Sequence, residues 1–305
     1  MSDTRIPRVL VLGATGHVGA AVVRELEATP TAVTAVRASR RAATVQQWTD
    51  EGKEAVHLDL DDPDTFPDAL KGIDRLFLMT GYTSAMNHQA KTLVDAAEDA
   101  GVAFLVHLGV YSDGRSTDPH FAWHELVERY IAGSAVAWAN IHPHVFMENL
   151  LGINRLREGH MVWPMGDKQV GWIAADDIAA VAAKVLAEGP DRHAGQDYYL
   201  SADLLNGAEV ADVLTTALGR TVPALVLTPN DLQHMIDAGL DATPPAGMDA
   251  AYAASTFIWA RQTYEGRFDY AAVTTTTVEE LLGRDPVHLD TWAAAHRQEL
   301  LDQFA

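Results

Sequence analysis

Three glycines spaced three apart, Gly13, Gly16 and Gly19, stand in the segment Gly13-Ala14-Thr15-Gly16-His17-Val18-Gly19, between an apolar run and a stretch of helical periodicity. Each has a physical task at a diphosphate. The first lets the chain turn tightly, the second admits a pyrophosphate close to the backbone, and the third lets a helix pack on a strand. The free N–H groups and partial positive charge of the helix N-terminus then face the anion. Thr15, His17 and Val18 complete the expected cradle. Such a triplet also serves plain tight turns, but here the strand before it and the helix after it supply the context that phosphate binding requires.

Where a second strand ends, an acid marks NAD and a cation marks NADP. The chain reads Val36-Arg37-Ala38-Ser39-Arg40-Arg41 there. In a protein of formal net charge −20, three arginines in this short stretch concentrate positive charge where an adenosine 2′-phosphate lies. A guanidinium matches a phosphate bidentately. Arg37 and Arg40 are therefore expected to contact that phosphate, Arg41 suits a solvated basic face, and the implied cofactor is NADP(H).

His120, His124 and Glu128 recur every fourth residue on one helical stripe. A histidine in this position can hydrogen-bond a ribose or donate to a substrate oxygen. A glutamate one turn later can orient the ring and favour its protonated form. The competing reading packs His124 between Phe121 and Val127 with its nitrogens satisfied. The histidine pair also has zinc spacing, but the rest of a metalloenzyme signature is missing and no metal is expected. Tyr111, just beyond a strand, can supply a hydroxyl; no Tyr-x-x-x-Lys pair follows that strand. Trp123, Phe146, Trp163 and Trp172 can line an aromatic acceptor pocket or belong to the core.

The elements that must position these groups alternate. Apolar runs at 8–12, 32–36, 55–58, 75–79, 102–108 and 135–141 read as strands. Val18, Ala21, Val22 and Leu26 recur at helical spacing before Pro30 stops that helix, and segments 40–51, 85–100 and 119–132 also read as helices. Strand-helix alternation predicts an α/β, Rossmann-type doubly wound parallel sheet with its ligand at the carboxyl ends of the strands. Residues 1–142 are read as the dinucleotide-binding core. Residues 143–305, with a helix near 175–188 and Pro-punctuated stretches at 221–229 and 243–247, are read as a smaller substrate-covering lobe whose pieces partly return to the sheet.

Composition narrows the partners. With 22 basic against 42 acidic residues the chain repels nucleic-acid phosphate and anionic lipid. No apolar run has the length of a membrane span and no targeting segment opens the chain, so a cytoplasmic protein acting on a small molecule is expected. The absence of cysteine excludes disulfides and thiolate nucleophiles. A homodimer is left open.

Taken together, GATGHVG, Val36-Arg37, HLDLDD (57–62), KGIDRLFLM (71–79), FMEN (146–149), AADDIA (174–179), LGR (218–220) and LLGRDP (281–286) resemble the NmrA-like branch of the atypical short-chain dehydrogenases over residues 8–300. The resemblance implies that Asp59 and Leu60 border the adenine, that Thr80 and Gly81 lie along the cofactor, and that Pro143 and Phe146 flank the nicotinamide. Asp59 also suits a helix cap. Many relatives keep a lysine where this chain has His124. The His124 and Glu128 pattern looks like the quinone oxidoreductase and triphenylmethane reductase members, which implies hydride transfer from NADPH to a quinone or similar conjugated carbonyl acceptor. His142 and His144 stand where relatives usually carry arginine and glycine. The family also contains non-catalytic regulators that sense NADP(H) and bind a protein partner, which is the competing reading.

Overall fold

The computed structural model describes residues 5–28, 32–239, 243 and 247–304. Pro30 and most of 243–247, expected to punctuate the chain, lie outside the described residues. Strands β1 (Arg8–Val11), β2 (Thr34–Ser39), β3 (Ala55–His57), β4 (Arg75–Leu78), β5 (Phe104–Leu108) and β6 (Ala137–Pro143) alternate with helices α1 (His17–Glu27), α2 (Ala42–Asp50), α3 (Phe66–Leu70), α4 (Met86–Asp99) and α5 (Pro119–Gly133). Beyond them come β7 (Val145–Phe146), β8 (Met161–Trp163), β9 (Val170–Ile173), α6 (Ala175–Glu188), α7 (Pro190–His193), β10 (Gln196–Leu200) and β11 (Asp203–Leu205). The lobe continues with α8 (Gly207–Leu218), β12 (Ala224–Val226), α9 (Pro229–Asp237) and α10 (Ala250–Tyr264).

Among the described residues, seven strands form a parallel sheet in the order β10-β6-β5-β4-β1-β2-β3. The order reverses between β1 and β4, with Leu10 opposite both Val36 and Leu76. A crevice at such a reversal is where doubly wound sheets hold nucleotides. Alternate residues of β1 serve opposite faces: Val9 and Val11 pack with α1 and α6, whereas Leu10 and Leu12 pack with α3 and α4. This is the two-sided burial that makes parallel strands read as unbroken apolar runs.

Two features of the sheet bear on the site. Strand β2 runs to Ser39, so Arg37 lies inside the strand rather than after it, and its N–H is bonded to Glu54 O at 3.0 Å. Strand β10, from the second half of the chain, lies against β6 at the sheet edge, with Tyr199 opposite His142.

Three of the quoted motifs act as ties. The Glu148 carboxylate accepts the Ala175 N–H at the start of α6 (3.0 Å) and the Trp292 indole N–H (2.9 Å). Asp177, fully buried on α6, accepts the Val287 N–H at 2.6 Å and pairs with Arg284 at 2.7 Å. The bonds to Trp292, Val287 and Arg284 join segments more than a hundred residues apart, where removing one partner leaves another buried group unmatched.

Candidate active site at the carboxyl ends of the strands

The glycine turn has the geometry of an anion cradle. Gly13 has φ +65°, and a Cβ on it would fall 2.3 Å from Met79 Sδ. A Cβ on Gly19 would fall 2.2 Å from Gly13 O, so strand and helix touch through bare backbone. Gly16 is less crowded, a Cβ on it meeting only Gly13 O at 3.4 Å, and its N–H is bonded to Gly13 O at 2.8 Å. No side chain caps α1, and no acid stands in its first turn. Its first-turn N–H groups thus remain for an anion, and the diphosphate of a dinucleotide fits this cradle. Thr15 and His17 are exposed at the rim. Val18 is buried in the core, so only its backbone is left to face a phosphate.

The arginines divide differently from their even spacing in sequence. Arg37 is buried and its guanidinium donates to Glu27 at 2.5 Å. Arg40 and Arg41 are exposed. Asp59 does not cap a helix; its carboxylate accepts the Asp61 N–H at 3.1 Å, and the following turn is capped by Asp62. Leu60 packs against the core beside it. Thr80 and Gly81 follow β4, the first half-buried and the second exposed.

Helix α5 starts at Asp118, which accepts the Phe121 N–H at 3.2 Å and is followed by Pro119 in the first turn. Burial pushes the Asp118 carboxyl up to about 6. The helix brings His124 beside the carboxyl end of β5, 5.3 Å from the His120 ring and 5.8 Å from that of His107. Its Nδ1 is buried without a protein partner. Burial, then the neighbouring His120, His107 and His142, hold His124 well below the ordinary imidazole range, so the ring is neutral.

This corrects the role expected of Glu128. Its carboxylate turns toward β6, where Oε1 lies 3.5 Å from His142 Nδ1, and it does not favour a protonated His124. Helical spacing gives the shared stripe, whereas the strand opposite decides which group the carboxylate meets. Burial, the largest influence, raises the Glu128 carboxyl to about 7.

Of the two readings of Trp163 and Trp172, the structure has the core one. They are core residues, 6.1 Å apart, with indole N–H groups bonded to Lys168 O and Leu205 O. Trp123 and Phe146 are half-buried. Pro143 ends β6 and accepts the Tyr111 N–H at 3.0 Å. The Tyr111 ring stacks on His144 at 4.0 Å and meets Tyr199 edge-on at 5.0 Å.

Several participants escaped the sequence reading. His107 was hidden as one polar residue in the apolar run of β5. Asp249 caps α10 through the Tyr252 N–H (2.7 Å) and accepts from Ser84 N (2.6 Å), Ser84 Oγ (2.8 Å) and Thr83 Oγ1 (3.1 Å). The Tyr252 hydroxyl meets His120 Nε2 at 2.7 Å. Together they hold α10 over α5 and against the loop after β4. An Asp ahead of a helical run was the available signal. Among the described residues, no group of three or more His, Asp or Glu side chains is arranged to hold a metal ion.

A Rossmann-type parallel sheet and a bare glycine cradle at the head of α1 define a nucleotide-binding α/β protein. The chain belongs to the NmrA-like family, matched over residues 6–300. It is 31% identical over 293 residues to an NAD(P)H azoreductase from Xenophilus azovorans, covering 94% of this chain and 97% of the relative. An NADPH-dependent quinone oxidoreductase from Escherichia coli complexed with NADPH is similar in fold, with TM-score 0.78 and 22% identity over 95% of this chain and 98% of that one. The Citrobacter sp. triphenylmethane reductase complexed with NADP(H) gives TM-score 0.77 and 21% identity, covering 95% of this chain and 99% of that one.

Proposed function

We propose that the protein is an NADPH-dependent oxidoreductase that reduces a flat, conjugated acceptor, a quinone or a comparable electrophilic carbonyl compound. The observation that carries this reading is the buried, uncharged His124 beside β5, whose ring lies 5.8 Å from that of His107 and whose Nδ1 has no protein partner. The full-length relationship to an azoreductase supports a reductase of conjugated compounds.

When bound, the reduced nicotinamide supplies the hydride. The chain's own residues bind and shield. The backbone from Gly13 to Gly19, with Thr15 and His17, holds the diphosphate. Arg40 and, once released from Glu27, Arg37 contact the 2′-phosphate. Asp59 and Leu60 border the adenine, Thr80 and Gly81 lie along the nucleotide, and Pro143 and Phe146 flank the nicotinamide. A neutral His124 offers an N–H to the oxygen that gains charge, and Tyr111 adds a hydroxyl at the mouth. Such preorganised donors in a water-poor site stabilise developing charge strongly.

The test mixes purified protein and NADPH with a panel of quinones and azo dyes and follows NADPH absorbance. Acceptor-dependent oxidation is expected. Tight NADP(H) binding without turnover of any acceptor would replace this reading with that of a nucleotide sensor acting on a protein partner.

A further inference from the structure

Glu128 and His107 approach one another across Gly109. A methyl group on Gly109 would lie 2.5 Å from Glu128 Oε1 and 3.5 Å from His107 Nδ1. Both of those atoms are buried without a protein hydrogen bond, as are His107 Nε2 and His124 Nδ1. Native folds keep such atoms rare, and a row of them in one place calls for an explanation.

The row has two ends. Inward, the His107 ring is followed by that of His124 at 5.8 Å. Outward, Glu128 Oε1 lies 3.5 Å from His142 Nδ1, whose hydrogen bond goes to Val110 O at 2.9 Å, and His142 Nε2 meets Asp197 Oδ1 at 3.1 Å. The Asp197 side chain is 44% exposed, so this end reaches solvent.

We infer that Asp197, His142, Glu128, His107 and His124 form a proton-delivery line from solvent to the acceptor, with Glu128 as its reservoir. The inference rests on the reductase reading of the site. The hydride brings the acceptor two electrons and one hydrogen nucleus, leaving an anion that needs one proton. His124 releases its outward N–H proton to that anion and takes one at Nδ1 from His107. His107 is refilled at its other nitrogen by the Glu128 carboxylic acid, which becomes a carboxylate. That carboxylate regains a proton from solvent by way of His142 and Asp197. Bridging water carries the proton across the gaps between these groups.

The electrostatics agree with this direction. Burial, then the charge of His142, hold His107 at about 3, so each inner imidazole passes a proton as a neutral ring. Burial works against a charged His142, yet the Asp197 hydrogen bond and the Glu128 charge keep it above the ordinary imidazole range. Glu128 is faced by His107 from β5, His142 from β6 and Asp197 from β10, with Glu125 and Arg129 on its own helix. At about 7, the carboxyl both gives and regains a proton near neutrality.

Two measurements test the line. Infrared titration of the nucleotide-free protein is expected to show a protonated-carboxyl C=O band that fades through neutral pH and is missing in Glu128→Gln. In turnover, Glu128→Gln is expected to lower kcat by about 100-fold, the usual range for a lost proton-transfer group. It should also remove the inflection near neutrality and leave NADPH affinity unchanged. Gly109→Ala keeps the carboxyl but pushes it aside; Gly109 has no positive φ, so the backbone accepts alanine. It should reproduce the same loss. An unchanged kcat and pH profile in Glu128→Gln, or a carboxyl already ionised throughout, overturns the line while leaving the reductase reading intact. Failure of the unaltered protein to oxidise NADPH with any acceptor overturns the reductase reading, and the line with it.

Discussion

Arg37 donates to Glu27, joining the second strand to the end of the first helix at 2.5 Å. An arginine placed to recognise a 2′-phosphate is thereby matched in advance by a carboxylate. Glu27→Gln is expected to strengthen NADPH binding relative to NADH by about 10-fold, since a hydrogen bond to a charged group is worth about 1.5–3 kcal/mol. Arg40→Ala should weaken NADPH more than NADH. Dissociation constants for both nucleotides check this, and equal changes for the two would move the phosphate contact elsewhere.

His124→Ala should lower kcat by about 100-fold, the scale of one lost transition-state donor, while changing the NADPH dissociation constant much less. Stopped-flow turnover beside nucleotide titration separates the two. Full turnover in the variant would leave His124 a packing residue.

Gly19→Ala should abolish nucleotide binding. Its Cβ would stand 2.2 Å from Gly13 O, a backbone atom that cannot move without opening the cradle. Calorimetric titration gives the answer, and retained affinity would contradict the geometry.

Stability should decline as pH rises through neutrality because of Glu128. Burial raises its carboxyl from 4.5 to about 7, so the folded chain holds this proton more tightly than the unfolded chain. The resulting stabilisation is complete below pH 4.5 and is lost as pH climbs through about 7. At one unit per 1.36 kcal/mol the loss is at most about 3 kcal/mol. Glu128→Gln should flatten this slope in denaturant titrations at a series of pH values.

Asp177→Ala should destabilise the fold by about 3–5 kcal/mol, the usual cost of stripping one partner from a buried charge network. Chemical denaturation measures it. The variant's NADPH affinity, measured where it is folded, should stay close to that of the unaltered protein.

The parts of the site legible in sequence are those built locally. The glycine cradle and α1 lie within fifteen residues of one another, and their spacing alone gives both turn and helix. Partnerships across the sheet were not legible. The helical stripe linked Glu128 to His124, but the group opposite Glu128 comes from β6, and no periodicity within α5 names it. Strand β2 looked shorter than it is because Arg37 and Ser39 interrupt an apolar pattern while remaining buried. Strand β10 was hidden because it begins with two exposed polar residues, Gln196 and Asp197, at the sheet edge. Trp163 and Trp172 invited a pocket reading by their size, yet each indole N–H finds a backbone carbonyl inside the core.

The pairing of β10 with β6 has a consequence for biogenesis. The edge of the central sheet is completed by residues 196–200, and Glu148 is tied to Trp292 near the far end of the chain. A nascent polypeptide leaving the ribosome therefore exposes an unfinished sheet edge until most of its length has been translated. Contacts so distant in sequence are formed late and slowly. During that interval the β6 edge lacks its partner strand and offers unpaired backbone groups to any neighbouring chain.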